Sequence, residues 1–285
     1  VGAETAETAL QLWRSAVAAD PARPFVTAYD EATGGRVELS FATVDNWVSK
    51  TANMLVDGLG AEPGDRVGLA LPLHWQSLVW LLACFTTGTT AVAGAPGRVP
   101  ECDIAVADAE RLPAALDSPA REVVGTSLHP LGAPLDACPP AAVDYGVEVR
   151  GYGDRFDADP AAPDAAAFEV PPEAAGGTDL LGGAITAVTC TGTELAASGR
   201  RKLEEWGLTA ADRVAIITSA PDSPAALGSR LDVLLGPLAG GIALVLLPGG
   251  DSASLQQRLD MERATATAGA RPGTPAHADP RRPLT

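Results

Sequence analysis

The chain has 285 residues, 46% of them hydrophobic, with a mean hydropathy of +0.11 and a formal net charge of −16. That length can bury about three quarters of the unfolded surface, in one large or two modest cores, and the composition is that of a soluble globular protein. The acidic balance argues against a nucleic-acid partner, which needs a basic face, and the scattered Cys84, Cys102, Cys138 and Cys190 argue against both zinc and a disulfide framework.

No apolar run approaches the roughly 18 residues of a membrane span, and no basic-then-apolar leader opens the chain, so no membrane partner and a cytoplasmic location are expected. Lys50 and Lys202 are the only lysines, a bias that with abundant alanine and glycine suggests a high-GC bacterial coding sequence.

The elements follow in order. Residues 7–19 place Leu10, Trp13 and Val17 at helical spacing. Residues 25–29 and 36–39 read as a β-hairpin. Ser40 then caps a helix running to Leu59, with Val44, Trp47, Val48, Ala52, Leu55 and Leu59 on one face. Strands are expected at 67–71 and 91–94, joined by a helix after Pro72, and shorter strands at 103–106 and 122–124. Residues 150–173 are rich in Gly, Asp, Ala and Pro and read as a linker or surface excursion. A strand at 185–189, a helix at 200–206, strands at 214–218 and 243–247, and a helix starting at Ser252 or Ser254 complete the structured part. The Pro, Arg, Ala and Gly tail reads as disordered.

One pattern occurs twice. Gly58-Leu59, Asp65-Arg66-Val67, Pro72, Gly88 and Pro96 are answered by Gly207-Leu208, Asp212-Arg213-Val214, Pro221, Gly241 and Pro248. Each copy spells strand, helix, strand, the crossover that parallel strands require. The expected fold class is therefore α/β, with layered βαβ units and parallel strands. The expected organisation is a first α/β subdomain at 1–149, a linker or excursion at 150–178, a second, incomplete α/β subdomain at 179–267 and a disordered tail at 268–285.

Leu39-Ser40-Phe41-Ala42-Thr43-Val44, Gly64-Asp65-Arg66-Val67, and the run from Leu82 through Gly88 to Ala95-Pro96 resemble, in that order, the N-terminal domain of the adenylate-forming (ANL) superfamily, which includes the acyl-CoA synthetases. Thr43 stands where the capping-box Glu of the first motif would be. The resemblance implies a phosphate loop, Ser/Thr-Gly-Thr-Thr-Gly-x-Pro-Lys-Gly, whose backbone and lysine cradle ATP. Its matching place is 191–199, where Thr191, Gly192, Thr193 and Gly199 fall in register as a degenerate cofactor-binding position. Leu195, Ala197 and Ser198 replace the second glycine, the proline and the lysine, and Glu194 adds a negative charge.

On that register, Glu194→Thr, Leu195→Gly, Ala197→Pro and Ser198→Lys together are expected to rebuild the cradle. Tyr145-Gly146 and Tyr152-Gly153 resemble later family motifs but precede the loop, so no role is assigned to them. His74 reads as a helix-terminus histidine, Trp75 and Trp80 as core, and Pro248-Gly249-Gly250-Asp251-Ser252 as a turn with an N-cap.

No catalytic residue, metal ligand or cofactor is assigned. The favoured expectation is a degenerate, acyl-CoA-synthetase-like pseudoenzyme that binds a small molecule or a protein. The alternative is a subunit of an active acyl-adenylating enzyme, using ATP and Mg²⁺ and completed by another chain.

Overall fold

A Thr-x-x-Gln capping box starts the first helix, α1 (Ala9–Ala19): the Thr8 side chain accepts from the Gln11 N–H, and the Gln11 side chain accepts from the Thr8 N–H. The computed structural model that shows this describes residues 7–30, 34–94, 98–157, 161–171, 188–218, 231–248, 251–269 and 281–284. The hairpin follows as β1 (Pro24–Tyr29) and β2 (Arg36–Ser40), then α2 (Phe41–Asn53), which widens into a π-helical turn at Met54–Gly58. Ser40 caps α2 through the Thr43 N–H at 3.1 Å, and the Thr43 hydroxyl lies 3.0 Å from its oxygen.

Next come β3 (Arg66–Ala70), α3 (Trp75–Thr87), β4 (Thr90–Ala93), β5 (Ile104–Asp108), α4 (Leu112–Leu116), β6 (Glu122–Thr126), β7 (Val143–Asp144) and α5 (Tyr145–Glu148). The remaining elements are β8 (Ala166–Val170), β9 (Val188–Thr191), α6 (Gly192–Trp206), β10 (Arg213–Thr218), α7 (Asp232–Ala239), β11 (Ala243–Pro248), α8 (Ser252–Met261), β12 (Ala266–Gly269) and β13 (Arg282–Leu284).

These strands form two sheets. One has the order β13-β12-β10-β11-β1-β2 and the other β7-β6-β5-β3-β4-β8-β9. Among the described residues every pairing is parallel except β1 with β2 and β8 with β9. The two-residue period of a strand sends alternate side chains to opposite faces. On β10, Val214 and Ile216 enter the large central core, while Ala215 and Ile217 pack with Leu255 and Leu259 of α8. On β5, Ile104 and Val106 face the central core, while Ala105 and Ala107 meet Leu112 and Ala115 of α4.

The central core also holds α1, α2, α3, α6 and α7, so these helices fill the space between the sheets and α4 and α8 cover the outer faces. Every residue of α3 is buried, as a helix between two sheets requires. Among the described residues no helix is long and apolar enough to cross a membrane.

The duplicated Asp-Arg-Val has the same physical role in both copies. Asp65 accepts from the Glu62 N–H at 2.8 Å and Asp212 from the Thr209 N–H at 2.7 Å, each closing the turn that launches a strand. The arginine then spans its sheet: Arg66 makes a two-pronged ion pair with Glu169 on β8, and Arg213 reaches Glu38 on β2 and Glu262 beyond α8. The valine enters the core. Strands 67–71 with 91–94, and 214–218 with 243–247, were the expected parallel pairs, and β3–β4 and β10–β11 are those pairs.

Three expectations need correction. The strands do not respect the boundary at 149, because β1 and β2 pair into the sheet of β10–β13: Val26 lies beside Leu244. The stretch 150–178, expected as a linker or surface excursion, contains β8, which sits beside β4 with Phe168 and Val170 buried. The tail expected to be disordered from 268 contributes β13, paired in parallel with β12, while 270–280 and 285 lie outside the described residues. In each case a long-range pairing supplies the burial that local composition did not reveal.

Candidate functional site

Strand β9 runs antiparallel to β8 along the sheet edge and ends at Thr191, which becomes the N-cap of α6. Thr191 has extended backbone angles, and its hydroxyl accepts from the Glu194 N–H at 3.2 Å. Glu194 turns back, and its carboxylate accepts from the Thr191 N–H at 2.8 Å and the Thr191 hydroxyl at 3.0 Å. These hydrogen bonds, backbone first, hold the Glu194 carboxyl below the usual carboxylate range. The free N–H groups and dipole of a helix start attract an anion. Here the chain supplies its own.

The segment 191–199 is therefore the cap and opening turns of a helix, which corrects the loop register read from sequence. Thr191, Gly192 and Thr193 lie together at the start of α6, but Gly199 is seven residues on, about 10 Å along the axis. Those four residues do not converge on one phosphate. Leu195 carries no left-handed strain and is a buried core residue.

Gly199 has a packing reason. A Cβ there would stand 2.7 Å from the Leu235 carbonyl oxygen of α7, and one on Gly236 would stand 2.7 Å from the Trp206 ring of α6. The two glycines let α6 and α7 cross closely. Ser198, where a lysine was sought, accepts a hydrogen bond from Arg201.

The starts of α8 and α3 are also capped by side chains. At α8, Asp251 accepts from the Ala253 and Ser254 N–H groups, both at 3.0 Å, and hydrogen bonds led by the Ser254 hydroxyl keep its pKa low. That is the expected cap, with Gly249 and Gly250 outside the described residues. At α3, the His74 ring accepts from the Gln76 N–H at 3.3 Å. Burial pushes its imidazole down to about 4, against the opposing charge of Asp30, so it caps as the neutral base. Trp75 and Trp80 are core residues. Tyr145 is fully buried with its hydroxyl 2.7 Å from Thr51, and a Cβ on Gly146 would meet the Ala133 carbonyl at 2.6 Å, so both serve packing. Among the described residues no group of three or more His, Cys, Asp or Glu is placed to hold a metal ion.

Sequence reading missed one feature beside this place. A cavity of about 280 Å³ lies between α1, the end of α3, the stretch 161–167 and Gly192, with Arg14 at its rim. Its walls come from four separate segments, and nothing in their spacing signals that they meet.

A sequence profile of AMP-binding enzymes matches residues 13–115. A TIGR03089 family protein of Mycobacterium tuberculosis (strain H37Rv) is 37% identical over 251 residues, covering 87% of this chain and 92% of that protein. Among solved structures, the anthranilate CoA ligase AuaEII in complex with anthranoyl-AMP superposes with a TM-score of 0.72 at 15% identity, over 94% of this chain and 50% of its own. An acyl-CoA synthetase of Brucella canis gives 0.73 at 18% identity, over 92% of this chain and 47% of its own. The inhibitor-bound N-terminal domain of FACL13 from Mycobacterium tuberculosis gives 0.68 at 16% identity, over 92% of this chain and 63% of its own. The chain thus spans about half the length of the full ligases it superposes on, and at these identities the likeness establishes the fold. The chain belongs to the TIGR03089 family and has the N-terminal-domain fold of the AMP-binding, acyl-CoA-ligase-like adenylate-forming superfamily.

Proposed function

We propose that this chain is a non-adenylating member of its superfamily that acts as a binding module for a small molecule or a partner protein. One observation carries the reading. At the place matched to the phosphate loop, the chain forms a capped helix in which the Thr191 N–H is taken by the Glu194 carboxylate, the Glu194 N–H by the Thr191 hydroxyl and the Thr193 N–H by the Pro163 carbonyl. An incoming phosphate would meet a carboxylate rather than free N–H groups, and no lysine stands in the segment to offset the charge. The residues present do not fit ATP, so no step of adenylation is assigned to them.

The test is acid-dependent exchange of pyrophosphate into ATP by the purified chain, with a panel of aliphatic and aromatic acids and Mg²⁺. Exchange at the level of a heat-denatured control supports the reading. Exchange that depends on the acid overturns it.

A second reading has one observation in its favour, the correspondence to about half the length of the superposed ligases. On it, the chain is a subunit of an acyl-adenylating enzyme completed by another chain, with ATP and Mg²⁺ bound through that partner. Exchange activity in a complex recovered from cells, but not in the chain alone, would favour it.

A further inference from the structure

We propose that the cavity between α1, the end of α3 and residues 161–167 binds a compact apolar molecule carrying one oxyanion, with Arg14 pairing the charge. The inference rests on the binding-module reading and gives that module a place and a ligand class.

Size comes first. The volume of about 280 Å³ is at the lower edge of the roughly 300–1,000 Å³ range of small-molecule pockets. At about 30 Å³ per water-sized group it admits roughly nine non-hydrogen atoms. The walls are Leu10, Phe85, Cys84 and the alanines of 161–167, so the body of the ligand must be apolar. Small side chains along 161–167 are what leave the space open.

The polar groups at the walls decide the rest. Thr8 and Gln11 are spent on each other in the α1 capping box, and the Thr89 hydroxyl lies 3.0 Å from that of Thr87. The nearby carboxylates are engaged as well, Glu7 in a two-pronged pair with Arg200 and Glu194 on Thr191. Arg14 is different. It is exposed at the rim and, among the described residues, makes no hydrogen bond or ion pair. An apolar chamber with one unmatched guanidinium at its mouth selects a molecule whose apolar body enters and whose single oxyanion stays at the rim, within reach of charge-assisted hydrogen bonds from Arg14.

The cavity also lies at the amino ends of β4 and β8, since Gly88 and Thr89 precede β4 and Ala165 precedes β8. Parallel α/β sheets carry their usual ligand crevice at the opposite, carboxyl ends.

The experiment is calorimetric titration of the full chain with hexanoate, pentylphosphonate and the neutral isostere hexanamide, repeated on Arg14→Gln and Arg14→Lys. Saturable binding of either anion, at least tenfold tighter than hexanamide, is expected, and the tighter anion identifies the head group. Arg14→Gln should lose that preference at least tenfold while melting within about 1 °C of the native chain, because among the described residues Arg14 makes no hydrogen bond or ion pair. Arg14→Lys should keep most of the preference. Anions that bind no better than hexanamide, or bind Arg14→Gln as tightly as the native chain, or do not bind the folded native chain at all, would overturn the proposal. Pyrophosphate exchange reads adenylation and this titration reads the cavity, so the two ideas fail separately.

Discussion

Rebuilding the family's phosphate loop by Glu194→Thr, Leu195→Gly, Ala197→Pro and Ser198→Lys should damage the fold rather than restore a nucleotide site. Leu195 is 4% exposed in the central core, and removing a buried leucine side chain costs about 2–5 kcal/mol. Glycine in a helix interior adds about 1 kcal/mol. Ala197 lies in the second turn of α6, where proline removes a backbone hydrogen bond and clashes with the preceding turn, at about 3 kcal/mol. The changes are neighbours and will not add strictly. Their sum, about 6 kcal/mol or more, is still comparable to the whole stability of a typical domain, about 5–15 kcal/mol.

The assay is thermal unfolding followed by circular dichroism, with and without ATP and Mg²⁺. At roughly 2–4 °C per kcal/mol, the fourfold variant should melt more than about 10 °C below the native chain, or fail to fold, and ATP should not raise its midpoint. Ser198→Lys alone, in a half-buried helical position that suits lysine, is the control and should melt within about 2 °C of native. A fourfold variant that keeps the native midpoint and is stabilised by ATP would refute the claim that this segment is a helix.

Three further outcomes are expected. Gly199→Ala gains about 1 kcal/mol of helix propensity but forces α6 from the Leu235 carbonyl, and overpacking costs typically about 1–3 kcal/mol; urea unfolding should show a lower midpoint with unchanged slope. Burial acts to raise the Glu262 carboxyl, but hydrogen bonds from Arg36 and Tyr29 and the charges of Arg36 and Arg213 outweigh it and hold the pKa below its usual value. A pKa lowered on folding contributes stability that is present above the unfolded value and lost as pH falls through the folded one, so Glu262→Gln should flatten the acid loss of stability below about pH 4.5, read as unfolding midpoint against pH. Burial pushes the Cys84 thiol up to about 12 and the Cys102 thiol to about 11; iodoacetamide on the folded chain should therefore label the half-buried Cys138 and Cys190 first, as peptide mass spectrometry will show.

The repeat was legible because its signals are local. Asp65 and Asp212 close turns three residues back, Gly88 and Gly241 take left-handed angles before β4 and β11, and the valines begin buried runs. The second strand of each pair follows within a short crossover, so order along the chain predicts adjacency in space. Strand β8 was not legible, since only Phe168 and Val170 alternate in a stretch of alanine, proline and aspartate, and its stability comes from β4 and β9 on either side. Nor could composition place β1 beside β11, a contact over two hundred residues away in sequence.

The start of α6 was legible and was misread. Thr191 and Glu194 spell a capping box, and Leu195, Ala196, Gly199 and Trp206 mark one buried helical face. Aligning the segment to a family loop overrode both signals. The cavity at Arg14 left no trace in sequence, because its walls come from segments far apart in the chain.

Hydrogen–deuterium exchange across residues 188–206, with and without ATP and Mg²⁺, tests the central claim most directly. A helix capped by its own glutamate should show slow exchange from Leu195 onward, with the amides of Leu195 to Gly199 as protected as those near Trp206 and no change on adding nucleotide. Fast exchange through 192–199 that slows when ATP and Mg²⁺ are added would show a phosphate-binding loop and contradict the account.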